Sequence, residues 1–292
     1  MNAPPLLVLP SPFDGHPGTL YLHEPPGTAA GQFRARLLDE SYARPFVLDD
    51  GECRYLYFSV RLMQSAMRLG APDALELRYT QAMLAGLLFK PKPRRLLLIG
   101  LGGGSLVKFC HRRLPGTHLL AVELDPDVVA FRDLFQVPAD DERLSVVVGD
   151  GGAVLAAVDK GIDLILVDAF DREGYAPALA SREFFEMAFV KLSGGGILVV
   201  NLAGDPASYA GLVGRVMDVF DDRAIVVPVP EDGNHVLYAF RDPAFDPRWR
   251  QLAGRAKELR AHFGLDFPSF VERLERASKQ GVARRLLCGD YR

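Results

Sequence analysis

RRLLLIGLGGGSLVKFCHRRLPGTHLLAVELDP, residues 94–126, is the stretch from which the fold is read. A short apolar run, LLLIG (96–100), meets a glycine cluster; a helix-length segment from Ser105 to Arg113 follows, and a second apolar run, LLAVE (119–123), closes the unit. Runs of this length with almost no polar residue mark strands covered on both faces, as in parallel sheets. The rhythm continues through SVVVG (145–149), LILVD (164–168) and GILVVN (196–201), with helix-length segments at 127–135, 153–160 and 181–192 between them. Strand–helix alternation of this kind predicts a doubly wound α/β sheet with right-handed crossovers.

Outward from this region the pattern changes on both sides. AIVVPVP and HVLYAF flank EDGN over 224–240 and predict an antiparallel hairpin. Upstream, PFVLDDGECRYLYFSV holds two β-prone runs around Asp49-Asp50-Gly51, a hairpin signal. DALELRYTQAMLAGLLF (73–89) has Leu77, Leu84, Leu87 and Leu88 at near-helical spacing, with Asp73 as a plausible N-cap. The division expected is an irregular arm over 1–32, a small β-rich domain over 33–72, a Rossmann-like nucleoside-binding core over 73–240 and amphipathic helices packed on it over 241–292.

A chain of 292 residues, 49% hydrophobic and 24% charged, has the make-up of one large or two modest globular domains. Thirty-four Lys+Arg against 37 Asp+Glu leave a net charge of −3, which argues against a protein that wraps a nucleic-acid backbone. The charge is uneven: residues 241–292 carry 12 basic and 7 acidic groups, an excess of +5, which leaves −8 for residues 1–240. An acidic body suits a cationic small molecule. Cys53, Cys110 and Cys288 are far apart with no CxxC pair, so they read as reduced thiols of a cytoplasmic protein, with no metal site. MNAPPLLVLPSPF lacks the basic start of a signal peptide, and no apolar run approaches the roughly 18–20 residues of a membrane span.

Four elements carry candidate chemistry. Gly100, Gly102 and Gly104 follow a strand and open a helix, where bare backbone and a helix N-terminus admit a ligand. Glu123 ends the next strand, where an acid accepts hydrogen bonds from both ribose hydroxyls; Asp125 either joins it or caps the following helix. Asp150-Gly151 follows the third strand: the carboxylate accepts an adenine amine or caps a helix, and the glycine lets the ring lie flat. Asp168 and Asp171, three residues apart at the end of the fourth strand, are placed to hold and deprotonate a cationic amine, or else merely end a strand and cap a turn. An alkylammonium with a pKa near 10 is no nucleophile until a base takes its proton.

The ordered set resembles the polyamine aminopropyltransferases, the spermidine and spermine synthase family, from about residue 35 to 240. Glu76-Leu-Arg-Tyr79-Thr-Gln81-Ala-Met83 extends the likeness upstream of the glycine loop. The resemblance implies a seven-stranded S-adenosylmethionine-transferase core with a small N-terminal β domain, assembled as a homodimer. It implies transfer of an aminopropyl group from decarboxylated S-adenosylmethionine to an amine or polyamine acceptor, with no metal. Glu123 would then hold the ribose, Asp150 and Gly151 the adenine; Asp168 would be the general base, Asp171 an amine anchor, and Tyr79 a hydrogen-bond partner of the transferred group. Gln64 matches a cofactor-contacting glutamine of the family, although its distance to Tyr79 is longer here.

This chain departs from the family at several points. The family loop GGGDGG reads Gly100-Leu-Gly-Gly-Gly-Ser105 here, so Gly103 stands where the family has an aspartate facing the donor ammonium. D-x-x-D-P-x-G-P becomes Asp168-Ala-Phe-Asp171-Arg-Glu-Gly-Tyr, and Asn201 replaces an acid after the fifth strand. The absence of a charge at 103 keeps ordinary S-adenosylmethionine open as donor, and with it methyl transfer on the same scaffold. A non-catalytic nucleoside-binding homologue is a further reading. A nicotinamide dehydrogenase is the weakest rival, since nothing supplies a hydride-transfer site.

Overall fold

The computed structural model describes residues 6–24, 29–171, 174–175 and 177–290. Five antiparallel strands come first and pair in chain order: β1 (Leu6–Pro10), β2 (Thr19–His23), β3 (Phe46–Asp49), β4 (Cys53–Ser59) and β5 (Leu62–Arg68), with helix α1 (Ala30–Leu38) between β2 and β3. The segment 1–32, expected to be irregular, thus supplies two strands. Its prolines mask an alternating pattern: Leu20 and Leu22 point inward, both fully buried, onto Phe33, Leu37, Tyr42 and Phe46. Pro10 closes the edge strand β1, where a missing N–H is tolerated. The β3–β4 turn forms at the expected Asp-Asp-Gly, with Gly51 at φ +90° and its N–H donating to Asp49 Oδ1 at 2.8 Å.

The core then runs α2 (Arg78–Met83), β6 (Arg95–Ile99), α3 (Ser105–Arg113), β7 (His118–Glu123), α4 (Pro126–Ala130), β8 (Leu144–Val148), α5 (Gly151–Ala157) and β9 (Ile162–Val167). A small ribbon of β10 (Phe170–Asp171) and β11 (Gly174–Tyr175) follows, then α6 (Arg182–Lys191), β12 (Leu192–Leu202), α7 (Pro206–Val219), β13 (Ala224–Val229) and β14 (Asn234–Phe240). The sheet order is β13-β14-β12-β9-β6-β7-β8. The five strands β8, β7, β6, β9 and β12 are parallel, and β14 runs antiparallel between β12 and β13. This is the seven-stranded arrangement the run of apolar segments predicts. Every residue of β9 is buried, as expected of a strand with helices on both faces.

The helix expected over 73–89 is shorter. Regular α-helix covers Arg78–Met83 and tightens into a 3₁₀ turn at Leu84–Leu88, all five of whose residues are buried. Asp73 does not cap this helix, whose N-cap position is Leu77; it pairs with Arg112 on α3. The Gly86 α-carbon packs against Leu164 and Val199 of the sheet, and close approach of this kind favours the tighter turn. Helices α8 (Trp249–Phe263), α9 (Phe267–Gln280) and α10 (Val282–Leu287) complete the chain; α9 and α10 pack on β13, and α10 also on α7. Their apolar stripes, Leu252, Ala256, Leu259 and Phe263 and then Phe267, Val271, Leu274 and Ala277, are buried.

Polar ties fix the N-terminal sheet to the core and so aim β4 and β5 at the strand ends. Arg44 grips Asp127 with two bonds of 2.7 Å, the bidentate geometry that gives an ion pair direction as well as energy. Arg54 donates to the Leu134 carbonyl. Lys108 of α3 is buried, its Nζ 2.8 Å from the Phe135 carbonyl and 3.0 Å from Met67 Sδ, and burial lowers its pKa to about 8.

Candidate active site

Strand order turns back at β6, which has β7 on one side and β9 on the other, and the carboxyl ends of such strands form the ligand crevice of open α/β sheets. The ladder continues past the strands: Gly100 N–H donates to the Val122 carbonyl, Gly149 N–H to Glu123, and Asp168 N–H to Ile99, each at 2.8 Å. Gly100, Glu123, Gly149 and Asp168 therefore stand side by side along one edge. Gly100 has φ +94°, and any β-carbon there would strike the Asp168 carbonyl, so only glycine brings the loop this close.

A cavity of about 290 Å³ opens above this edge. It gathers Gln64, Tyr79, Gly100, Gly102, Glu123, Asp150, Gly151 and Asp168, residues spread over more than a hundred positions of sequence. Phe58, Ser65, Leu124, Phe170 and Leu179 supply further wall. One expected site residue stands apart. Gly104 does not line the cavity: its φ of +68° turns the chain into α3, and its bare α-carbon packs against Val137. Asp171 lies in β10 with its backbone opposite Gly174, but its side chain falls outside the described residues, as do Arg172 and Glu173.

The carboxylates differ in what they already hold. Glu123 Oε2 accepts from the Leu101 N–H at 2.8 Å and Oε1 from the Asp125 N–H at 3.0 Å, so it fastens the glycine loop to β7. A carboxylate has about four acceptor sites, which leaves capacity for hydroxyl donors from the cavity. Asp150 caps α5 through Oδ1, accepting from Ala153 N–H at 2.7 Å. Asp125 caps α4 and is absent from the cavity wall.

Asp168 is the most constrained group. Its Oδ1 accepts from Asn201 Nδ2 at 2.8 Å and its Oδ2 from the Tyr79 hydroxyl at 3.3 Å; Asn201 in turn accepts from Asn234 Nδ2 at 2.8 Å. Burial raises the Asp168 pKa to about 6 against the pull of those two bonds, and the negative charge of Glu123 adds to the rise. Burial also raises the Tyr79 phenol well above its ordinary value, helped by Asp168, so Tyr79 remains a donor. A carboxylate poised near 6 in a secluded site is suited to take a proton at neutral pH.

A second cavity, of about 540 Å³, adjoins the first and shares Gln64, Tyr79 and Phe170 with it. Asn201, Asp232 and Asn234 line it, together with Met63, Leu77 and Ala203. The sequence reading missed Asp232 and Asn234, which lie in the turn EDGN and were read only as a hairpin connection. Asn201 carried a usable signal, a polar residue ending the apolar run GILVV at the same sheet edge as Asp168. Among the described residues no group of three or more His, Cys, Asp or Glu is placed to hold a metal ion, and no helix is long and apolar enough to cross a membrane.

Comparison with known proteins bears on this geometry. The model of the spermine/spermidine synthase domain matches residues 76–208. A polyamine aminopropyltransferase of Chromobacterium violaceum is 35% identical over 258 residues, covering 87% of this chain and 99% of its own length. The crystal structure of a probable spermidine synthase from Corynebacterium glutamicum superposes with a TM-score of 0.61 at 20% identity, over 73% of this chain and 84% of its own. Human methyltransferase-like protein 13, in complex with SAH, gives 0.59 at 24% identity over 64% and 92%. At these identities the two structures speak for the fold.

Proposed function

The chain belongs to the polyamine aminopropyltransferase family, as a transferase of the spermidine synthase type, and from that membership we propose how its two cavities divide the reaction. The nucleoside of decarboxylated S-adenosylmethionine occupies the cavity above β6, β7 and β8. Glu123 accepts from the ribose hydroxyls, the second oxygen of Asp150 accepts the adenine amine, and Gly151 leaves room for the ring. The amine acceptor enters through the second cavity.

The observation that carries this reading is Asp168. It stands on the nucleoside side, while both of its partners, Tyr79 and Asn201, line the acceptor side. The acceptor ammonium gives a proton to the Asp168 carboxylate. The freed lone pair attacks the methylene carbon next to sulfur, the carbon–sulfur bond breaks, and its electron pair neutralises the sulfonium as methylthioadenosine leaves. The donor brings its own activation, so the protein has only to align the two reactants and receive one proton. Tyr79 and Asn201 orient the base, and Gln64, at the junction of the cavities, faces both substrates. Asp171 is an additional amine anchor on this reading.

Family likeness also supports a cytoplasmic homodimer, and Leu6 and Val8, exposed on the free edge strand β1, are apolar groups a partner chain would cover. The test of the division of labour is Asp168→Asn. Turnover falls by about 10²–10⁴-fold, the usual contribution of a positioned base, while methylthioadenosine binding measured calorimetrically stays within threefold. Wild-type-like turnover by this variant removes Asp168 from the base role.

A further inference from the structure

We infer that Asp232 is a specificity-determining residue, whose carboxylate favours acceptors that carry a second ammonium group. The inference rests on the second cavity being the acceptor site. Among the described residues lining that cavity, Asp232 bears the only charged side chain. Met63, Leu77 and Ala203 give it aliphatic walls, and the amides of Asn201 and Asn234 are engaged with Asp168 and with each other. The space therefore suits an aliphatic chain that ends in a cation.

The position of Asp232 relative to the base is set by one residue. Asp232 Oδ2 accepts the backbone N–H of Tyr79 at 2.6 Å, while the phenol of the same tyrosine donates to Asp168 at 3.3 Å. The two carboxylates thus contact Tyr79 at its backbone and at its phenol, so a short aliphatic diamine lying along that side chain meets both. One amine of such a molecule reaches Asp168 while the other reaches Asp232. Its neighbour Glu231 is already taken by Arg273 at 2.7 Å, whereas among the described residues Asp232 forms no ion pair. Asp232 is thus open to a cation from solution.

Asp232 also caps the start of α2, where Leu77 offers no side-chain cap, so a purely structural role must be separated from recognition. Asp232→Asn makes the separation, since the amide oxygen still accepts the Tyr79 N–H. The readout is the ratio of kcat/KM for 1,4-diaminobutane to that for 1-aminobutane, with decarboxylated S-adenosylmethionine saturating. Replacing a partly exposed ammonium–carboxylate contact lowers that ratio by about fivefold to tenfold in Asp232→Asn. A ratio that moves by less than twofold, with both acceptors losing equally, makes Asp232 a cap alone and overturns the inference. A wild-type protein that alkylates neither amine overturns instead the reading of the cavity as an acceptor site.

Discussion

Among the described residues no basic group acts on Asp168, and its pH behaviour follows from that. Burial lifts its pKa to about 6 from 3.8, so the folded protein holds this proton more tightly than the unfolded chain does. A raised carboxyl of this kind contributes its stability below the unfolded value, and that contribution is lost as pH rises through about 6. Two consequences follow in opposite directions. The activity of the wild type is expected to rise through an acid limb centred near pH 6, because Asp168, as the proposed base, must be ionised to accept a proton. Stability pays for that ionisation: at pH 8, Asp168→Asn melts about 3–6 °C above wild type in calorimetry, and the gap closes by pH 4. A variant no more stable than wild type at pH 8 means the carboxylate is not held against its burial. Part of this was legible in the sequence, because an aspartate ending a buried strand at the ligand edge is a visible candidate. Its partners were less so: Tyr79 and Asn201 lie 89 and 33 positions away, and only the sheet brings them to it.

At the scale of elements, the alternation over 94–240 is readable because each parallel strand is buried on both faces and so lacks polar residues. What failed to read were elements whose pattern is overlaid by something else. Strands β1 and β2 sit among prolines, and the 3₁₀ turn at Leu84–Leu88 has the spacing of a helix but is compressed against the sheet. The glycine loop shows how local sequence and distant packing agree. At Gly103 a β-carbon would lie 2.7 Å from Ser65 Oγ on β5 and 2.9 Å from Phe135 Cδ1. Phe135 is buried, and its carbonyl is fixed by Lys108, so it has little room to retreat. The space beside residue 103 is thus occupied by neighbouring side chains. Gly103→Ala therefore destabilises the protein by about 1–3 kcal/mol, read as a lower urea midpoint at unchanged slope. An unshifted midpoint means that Ser65 and Phe135 yield freely.

Across the whole molecule, the net charge of −3 divides into an acidic body and a basic C-terminal segment. The basic segment forms α8, α9 and α10, whose apolar stripes are buried and whose arginines partly pair with the body, as Arg273 does with Glu231 and Arg284 with Asp222. The acidic residues that matter converge from three strand ends and the β13–β14 turn onto two adjoining cavities. That convergence is a property of the assembled fold and no single stretch of sequence contains it. On the proposed reading these cavities are a nucleoside cradle joined, across Tyr79 and Asp168, to a chamber for an amine. The direct test is mass spectrometry of the products formed from a diamine with decarboxylated S-adenosylmethionine and, separately, with ordinary S-adenosylmethionine. Methylthioadenosine and a diamine lengthened by one aminopropyl unit are the products expected from the decarboxylated donor. A methylated amine and S-adenosylhomocysteine from the ordinary donor, with no aminopropyl product, would contradict that expectation.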